Sequence, residues 1–309
     1  MANLCNIDGL ISPETDARIP VLDRGFLFGD SIYEVVRTHD GVPLFWPEHW
    51  RRLQASAAAI AMELDQPEAT IARRVAETLA AARHGDSYVR IVVTRGAGDA
   101  PNIDIAYANS PPCWVLMVRP LHLATGKPVH LALVDRLRND RRALDPASKS
   151  GNYLNNVLAL REAQQLGATD CVMLNSDGWI TEASTSNVFA LIDGVWCTPP
   201  LTAGILAGIT RSALLEFLPQ ADQRVEERHL NREDLMSADE LFLSSTLRDI
   251  GPVTQLNGRV LHPDEAGNPA AGPATAKLLP SFSEHVKRWR IEHDAPHWRT
   301  LLGSGGASS

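Results

Sequence analysis

The chain has 309 residues, is 44% hydrophobic and 21% charged, and carries a formal net charge of -8. That length suggests two domains with cores of ordinary size, and that balance excludes a disordered chain. The acidity and the lack of any basic run argue against nucleic acid, whose backbone demands clustered Lys and Arg. The cysteines Cys5, Cys113, Cys171 and Cys197 stand far apart and fit no metal spacing. Cys171 and Cys197 fall in apolar, strand-like runs and read as buried thiols. The start, Met1 to Gly9, lacks a basic n-region and a long apolar core. No apolar run reaches membrane-spanning length, so a reducing cytoplasm is the expected compartment.

The first fifty residues read as extended structure. Asp23 to Asp30 is a loop with two glycines, running into a β-branched strand from Ser31 to Arg37. Asp40-Gly41 predicts a hairpin turn. Helices follow over Glu48 to Met62, with Leu53, Ala57 and Ile60 on one face, and over about Thr70 to Arg83. Ser87 to Arg95 is a strand, Gly96 to Asn102 a flexible loop, and Cys113 to Val118 another strand. Strands and helices mix without a βαβ alternation, which predicts an α+β fold. The boundaries read as a small N-terminal α+β domain over 1–118, a linker over 119–127, a larger domain over 128–295 and a flexible tail over 296–309.

The second domain opens with a strand at Val129 and a polar, Arg-rich segment from Asp135 to Ala147. A helix from Tyr153 to Leu166 is expected to turn Leu154, Val157, Leu158 and Leu160 inward, with Gly167 as its stop. Strands follow at Asp170 to Leu174, Asn187 to Ile192 and Glu240 to Ser245, with hairpins at Asp193-Gly194 and Asn257-Gly258. Asn231 looks like a helix N-cap with acidic residues behind it. A C-terminal helix from about Pro273 to Glu292 is expected to be interrupted at Pro280.

Of the 29 Lys plus Arg, only Lys127, Lys149, Lys277 and Lys287 are lysines. A lone lysine is usually a solvated surface residue. An amine, however, can lose its proton and attack a carbonyl, which a guanidinium cannot. Lys149 stands in Ser148-Lys149-Ser150-Gly151-Asn152-Tyr153, among small residues at a glycine turn. Leu206 to Thr210 leads into a helix whose free N–H groups suit phosphate, and Thr210 adds a hydroxyl. Thr246, at a strand end, offers another hydroxyl, and Arg52 a charge. With Glu182 inside a Ser/Thr-rich turn, the set suits pyridoxal 5′-phosphate: an aldehyde for Lys149, a phosphate for the helix start, a ring nitrogen for Glu182. The histidines form no close ligand set with acids, and no GxSxG elbow is present.

Three blocks in order carry a family resemblance: Lys149 with Gly151-Asn152-Tyr153-Leu154-Asn155, Gly178-x-Ile180-Thr181-Glu182 to Asn187-Val188-Phe189, and Gly208-Ile209-Thr210-Arg211. Asp23-Arg24-Gly25 through Tyr33-Glu34, and Glu48-His49-x2-Arg52-Leu53, match the N-terminal blocks. Over roughly residues 5 to 290 the chain resembles the fold-type IV (class IV) pyridoxal-phosphate-dependent aminotransferases. The group includes branched-chain, D-amino-acid and (R)-amine transaminases and aminodeoxychorismate lyases.

The resemblance implies a small α+β domain, a larger domain with a pseudo-barrel sheet, and at least a homodimer. It implies that Lys149 forms the Schiff base with the cofactor and later moves the proton. It also implies that Glu182 pairs with the ring nitrogen and Tyr153 donates to the ring hydroxyl, while Arg52, Ile209, Thr210 and Thr246 hold the phosphate. The expected reaction is ping-pong transfer between an amino acid, branched-chain or D, and a 2-oxo acid. An (R)-amine transaminase or a pyruvate-eliminating lyase is the alternative. Arg37, Tyr88 and Arg90 match substrate-side positions of the branched-chain type, whereas Tyr33-Glu34-Val35-Val36 reads like the D-amino-acid type. The Arg-x-His trap of that type is missing from the Gly96 to Asn102 loop. Arg248 departs from the pattern and is a further candidate for a substrate carboxylate.

Overall fold

The structure, a computed structural model, describes residues 2–294, 298 and 300–302. Packing divides the chain into two compact units. The first contains 1–122, 148–152 and 287–309; the second contains 123–147 and 153–286. The units therefore differ from the contiguous sequence-derived boundaries in two segments: the Lys149 turn and the chain from Lys287 group with the first unit. Of the tail over 296–309, expected to be flexible, Trp298 is buried in the core of the first unit and residues 300–302 are helical, and the rest lies outside the described residues.

The first unit is built on β1 (Leu4–Ile7), β2 (Leu10–Pro13), the short α1 (Arg24–Phe28), β3 (Ser31–His39), β4 (Val42–Pro43), α2 (Trp46–Ala59), α3 (Glu68–Ala82), β5 (Ser87–Thr94) and β6 (Cys113–Pro120). Its six strands run in the order β2-β1-β6-β5-β3-β4, all neighbours antiparallel. Strand alternation gives the sheet two unlike faces. Ile32, Val36, Val89, Ile91, Leu116 and Val118 form a core with Leu53 and Ala57 of α2 and Ile71 and Val75 of α3. Directly opposed residues share a face. Tyr33 faces Val92, Val35 faces Arg90 and Arg37 faces Tyr88, so these six form a patch on the sheet's other side.

The loop after β5, expected to be flexible, is fastened. Arg24 donates to the carbonyls of Asn102 (2.6 Å), Ile103 (2.8 Å) and Asp104 (3.2 Å). Backbone bridges join Asp23 to Ala97 and Gly98 to Ala108. Asp30 in turn holds Arg24 and Arg95, at 3.0 and 2.8 Å.

The C-terminal segment closes the N-terminal end of α2. Phe45 caps that helix in a left-handed conformation, and its N–H donates to Asp294 at 2.8 Å. Burial pushes the Asp294 carboxyl up to about 7, against the Phe45 and Trp46 N–H groups that pull it down. A carboxyl protonated when seated and ionised when released binds more protons in the folded form. Its seat is therefore firmest at low pH and weakens as pH rises from about 4 towards 7. Asp294→Asn, uncharged at every pH, is expected to gain in melting temperature relative to wild type between pH 5 and pH 8; parallel curves would remove Asp294 as the cause.

The second unit comprises β7 (Val129–Leu133), α4 (Leu154–Gln165), β8 (Asp170–Leu174), β9 (Ile180–Ala183), β10 (Asn187–Ile192), β11 (Val195–Thr198), α5 (Ile209–Gln220), β12 (Arg224–Glu227), α6 (Arg232–Ser237), β13 (Glu240–Ser245), β14 (Asp249–Leu256) and β15 (Arg259–Val260). The sheet order is β12-β11-β10-β13-β14-β7-β8-β9, with β15 on β14. Pairs β7–β8, β7–β14 and β11–β12 are parallel and the rest antiparallel. The tight turn between Ala183 and Asn187 brings β9, at the sheet's end, back beside β10, so the sheet curls on itself. Asn231 caps α6 in a reciprocal capping box with Asp234.

Three helices differ from the sequence reading. The short α1 stands inside the segment from Asp23 to Asp30 that reads as a loop, capped by the Asp23 side chain and ended by Gly29. In α4 Leu154 and Val157 are exposed, and the buried face is Asn156, Ala159 and Ala163. The small side chains allow α4 to lie close against Ala132, Val134, Cys171 and Met173, so size rather than hydropathy sets the face. The helix α7 (Pro273–Trp289) runs through Pro280 and continues into a wide turn over Arg290–Asp294.

Candidate active site

Lys149 is held by its backbone against β3. Its carbonyl accepts the Tyr33 N–H at 2.9 Å, the Ser31 carbonyl accepts the Gly151 N–H at 2.8 Å, and its own N–H donates to Ser56 Oγ at 3.0 Å. Gly151 permits this approach, because a Cβ there would collide with Ser31 Oγ. The side chain then reaches the polar side of the sheet. Lys149 Nζ lies 3.3 Å from the Tyr33 hydroxyl and 4.4 Å from its ring centre. Arg90 lies over the same ring at 3.9 Å. Tyr33 thus meets two cations, an arrangement its ring quadrupole favours. Among the described residues no carboxylate pairs with Arg90. Arg37, buried, and Tyr88, half-buried, extend the patch.

On the core side of the same strand, Glu34 is fully buried between residues of α2. Arg52 Nε and Nη2 grip its two oxygens at 2.7 Å each, and His49 Nδ1 lies 2.7 Å away. Burial alone would raise the Glu34 carboxyl. The Arg52 charge and the His49 bond outweigh it and hold the group well below the usual carboxylate range. Burial lowers His49, against the pull of Glu34. The spacing Glu48-His49-x2-Arg52 placed His49 and Arg52 on one turn of helix; that both serve Glu34 was not visible from sequence.

In the second unit Glu182 lies buried on β9. Arg138 Nε and Nη2 both approach its Oε1 at 3.0 Å, while Leu206 N–H at 3.0 Å and Asn187 Nδ2 at 3.4 Å reach Oε2. Asn187 also donates to the Leu206 carbonyl at 3.0 Å, tying β10 to the loop before α5. Gly208 caps α5 with no side-chain cap bond and no acid in the first turn, leaving its first turn without an internal counter-charge. A Cβ at Gly208 would strike Asn187 Oδ1. Ile209 and Thr210 are buried in that first turn. Thr246, in the turn after β13, is half-buried, and Tyr153 stands at the N-cap of α4. Arg211, the last residue of its motif, turns away to Glu227 and the Pro199 carbonyl.

Arg248 is committed within its own unit. Its Nη2 pairs with buried Asp170 at 3.2 Å, and Asp170 also accepts from Ser184 Oγ at 2.6 Å. The sequence left Asp170 and Arg138 without roles. Their partners are distant in the chain, and neither lies in a local pattern that would have marked it.

In the first unit a lysine amine is set against a tyrosine, a setting in which an amine can attack a carbonyl; in the second, a buried carboxylate is fixed by donors and a helix start lacks a side-chain cap. The sequence profile of the amino-transferase class IV family matches residues 31–256. A putative branched-chain-amino-acid aminotransferase of Methanocaldococcus jannaschii is 35% identical over 288 residues, covering 93% of this chain and 97% of that protein. A D-alanine aminotransferase of Bacillus licheniformis is 31% identical over 279 residues, covering 90% and 95%. The solved branched-chain aminotransferase of Escherichia coli superimposes with a TM-score of 0.81 at 26% identity, over 91% of this chain and 93% of that one. The chain belongs to the class IV aminotransferases, with the α+β, fold-type IV architecture. It is a transaminase that moves amino groups between amino and oxo acids.

Proposed function

We propose that this transaminase uses pyridoxal 5′-phosphate to exchange the amino group of an aliphatic α-amino acid with a 2-oxo acid, and that Arg90 receives the substrate carboxylate. The observation that carries this is Arg90 itself: half-buried, without a carboxylate partner among the described residues, and stacked on the tyrosine that touches the Lys149 amine. Arg248, by contrast, is engaged by Asp170. Val35 and Val92 share the sheet face with Tyr33 and Arg90, which suits an aliphatic side chain beside the carboxylate.

The residues present fit the cofactor. Lys149 offers the amine, and Glu182 offers a buried carboxylate whose Oε2 is the less committed oxygen, its Asn187 contact being the longest of the four. The uncapped start of α5, with Ile209 and Thr210, offers N–H groups and a hydroxyl to a phosphate; it is the family resemblance that adds Thr246 and Arg52 to this set and Tyr153 for the ring hydroxyl. Once bound, the cofactor supplies the electron sink that makes the substrate Cα–H acidic. Lys149, when neutral, accepts that proton and returns it, and the Tyr33 hydroxyl at 3.3 Å orients the amine. Arg90 anchors the carboxylate, fixing which Cα bond faces Lys149.

Exposed Val21, Phe26, Ile103 and Ile105 give an apolar surface that a second copy would cover, which supports a homodimer. The free thiols support a cytoplasmic setting.

The test is a half-reaction: the cofactor-loaded protein mixed separately with L-leucine, D-alanine and (R)-1-phenylethylamine, following the near-visible spectrum. Conversion by an amino acid well ahead of the bare amine is expected, and the faster of the two amino acids fixes the hand. Arg90→Ala is expected to lower kcat/KM for amino acids by about 30-fold or more, the cost of losing a charge-assisted pair of about 2 kcal/mol or more, while sparing the amine. Equal losses on both substrates would remove Arg90 from the carboxylate site.

A further inference from the structure

The Arg-rich segment before Lys149 has no part in the reaction as described, yet one of its residues supplies the guanidinium paired with Glu182. Arg138 is nearly as buried as its partner, with side-chain exposures of 9% and 7%. It is also held in place. Its N–H donates to the Leu174 carbonyl at the end of β8 (2.8 Å), and Asn155 of α4 grips the segment from the other side. Asn155 Nδ2 donates to the Leu137 carbonyl at 2.9 Å, while its Oδ1 accepts from Asn139 N–H at 3.3 Å and from Arg138 Nη1 at 3.4 Å.

All four groups around the Glu182 carboxylate are donors. A carboxylate accepts about four such bonds only while ionised; a proton on either oxygen would face an N–H. An isolated buried carboxylate is costly, and it relieves that cost by taking a proton. A protonated Glu182 would donate towards a ring nitrogen instead of accepting from it, and the nitrogen would lose its charge. We infer that Arg138, seated by Asn155, is a positioning residue that keeps Glu182 an anion and thereby keeps the proton on the cofactor's ring nitrogen. The inference rests on the proposed pairing of Glu182 with that nitrogen.

The reaction depends on this charge, because a protonated ring withdraws electrons and a neutral one does so weakly. The effect of Arg138 should therefore appear in the state of the ring, and not only in turnover. Both neighbours of Oε2 belong to the backbone or to a neutral amide, so neither can replace the guanidinium charge.

The test loads wild type, Arg138→Gln, Arg138→Lys and Glu182→Gln with cofactor carrying ¹⁵N in the ring, and reads the nitrogen signal by NMR between pH 6 and pH 9. Wild type is expected to hold the protonated signal throughout, and Glu182→Gln to lose it. Arg138→Gln is expected to lose most of it at the upper end of the range, with kcat reduced by about 10- to 100-fold, as for other supporting contacts one step removed from the chemistry. Arg138→Lys, which keeps the charge and loses the fork, is expected to fall between. A wild-type signal in Arg138→Gln, with the signal lost in Glu182→Gln, overturns the inference and leaves the role of Glu182 standing. Retention in Glu182→Gln instead defeats the pairing itself, and the inference with it. If Arg138→Gln does not fold, Arg138→Lys decides: an unchanged signal and rate there overturn the role assigned to the fork.

Discussion

Lys149→Ala is expected to abolish transamination, by more than about 10⁴-fold, because it removes both the covalent partner of the cofactor aldehyde and the base at Cα. The substitution is a clean one in this setting. The bonds that hold the turn to β3 and to Ser56 are made by the backbone of Lys149 and survive it. Among its losses are a cation over the Tyr33 ring, worth about 0.5–2 kcal/mol, and the bond to the Tyr33 hydroxyl, so the variant should still fold. Added cofactor should then give the spectrum of a free aldehyde, with no band from a lysine adduct, at a melting temperature within a few degrees of wild type. Turnover within tenfold of wild type would move the chemistry to another amine. The neighbours of Lys149 sharpen the reading. If only positioning were lost, a small primary amine in the buffer would not restore proton transfer; if the base is lost, it should, in part.

How much of this was legible depends on whether the signal was local. The turns were. Asp40-Gly41, Asp193-Gly194 and Asn257-Gly258 each adopt paired positive φ angles, 50 and 75, 49 and 72, and 49 and 79°, as two-residue hairpins demand. The same chemistry at Asp8-Gly9, with φ of 51 and 100°, closes the first hairpin between strands only four residues long, too short for their alternation to stand out. Lys149 stood out by the scarcity of lysine and by its small neighbours, and the three motif blocks carried the family. Leucine and valine point to the wrong face of α4, because a helix pressed against a sheet can select for small side chains, here Ala159 and Ala163. The charged partners were the least legible. Glu34 lies in an otherwise apolar strand, and its alternation with Tyr33 put the two on opposite faces, one towards α2 and one towards Lys149. Arg138 and Asp170 lie 44 and 78 positions from Glu182 and Arg248, and an arginine in a polar segment reads like any solvated one.

Glu34→Gln is expected to destabilise the protein by about 3–5 kcal/mol, the usual result of removing one partner from a buried ion pair. Its shape is kept, so no cavity opens. The loss falls on Arg52, whose guanidinium would remain buried beside an amide that can satisfy only one of its two short bonds, and on His49, which loses the anion facing Nδ1. Urea unfolding at pH 7 should show the loss in the midpoint with an unchanged slope. The pH dependence gives an independent check, and its sign follows from the direction of the shift. Glu34 is held below its ordinary range in the fold. Its stabilisation is therefore complete above about pH 4.3 and is lost as pH falls through the folded value, by up to about 1.4 kcal/mol per pH unit. The gap between wild type and Glu34→Gln should thus hold from pH 5 to pH 8 and narrow below pH 4. A gap that stayed constant into acid would mean that Glu34 acts by shape and not by charge. The same variant bears on function. Arg52 belongs to the proposed phosphate set, and Glu34 fixes the plane of its guanidinium, so cofactor affinity should fall with stability. Glu34→Asp, which keeps the charge but shortens the reach, should retain the acid dependence while losing part of the affinity, separating the charge on Arg52 from its aim.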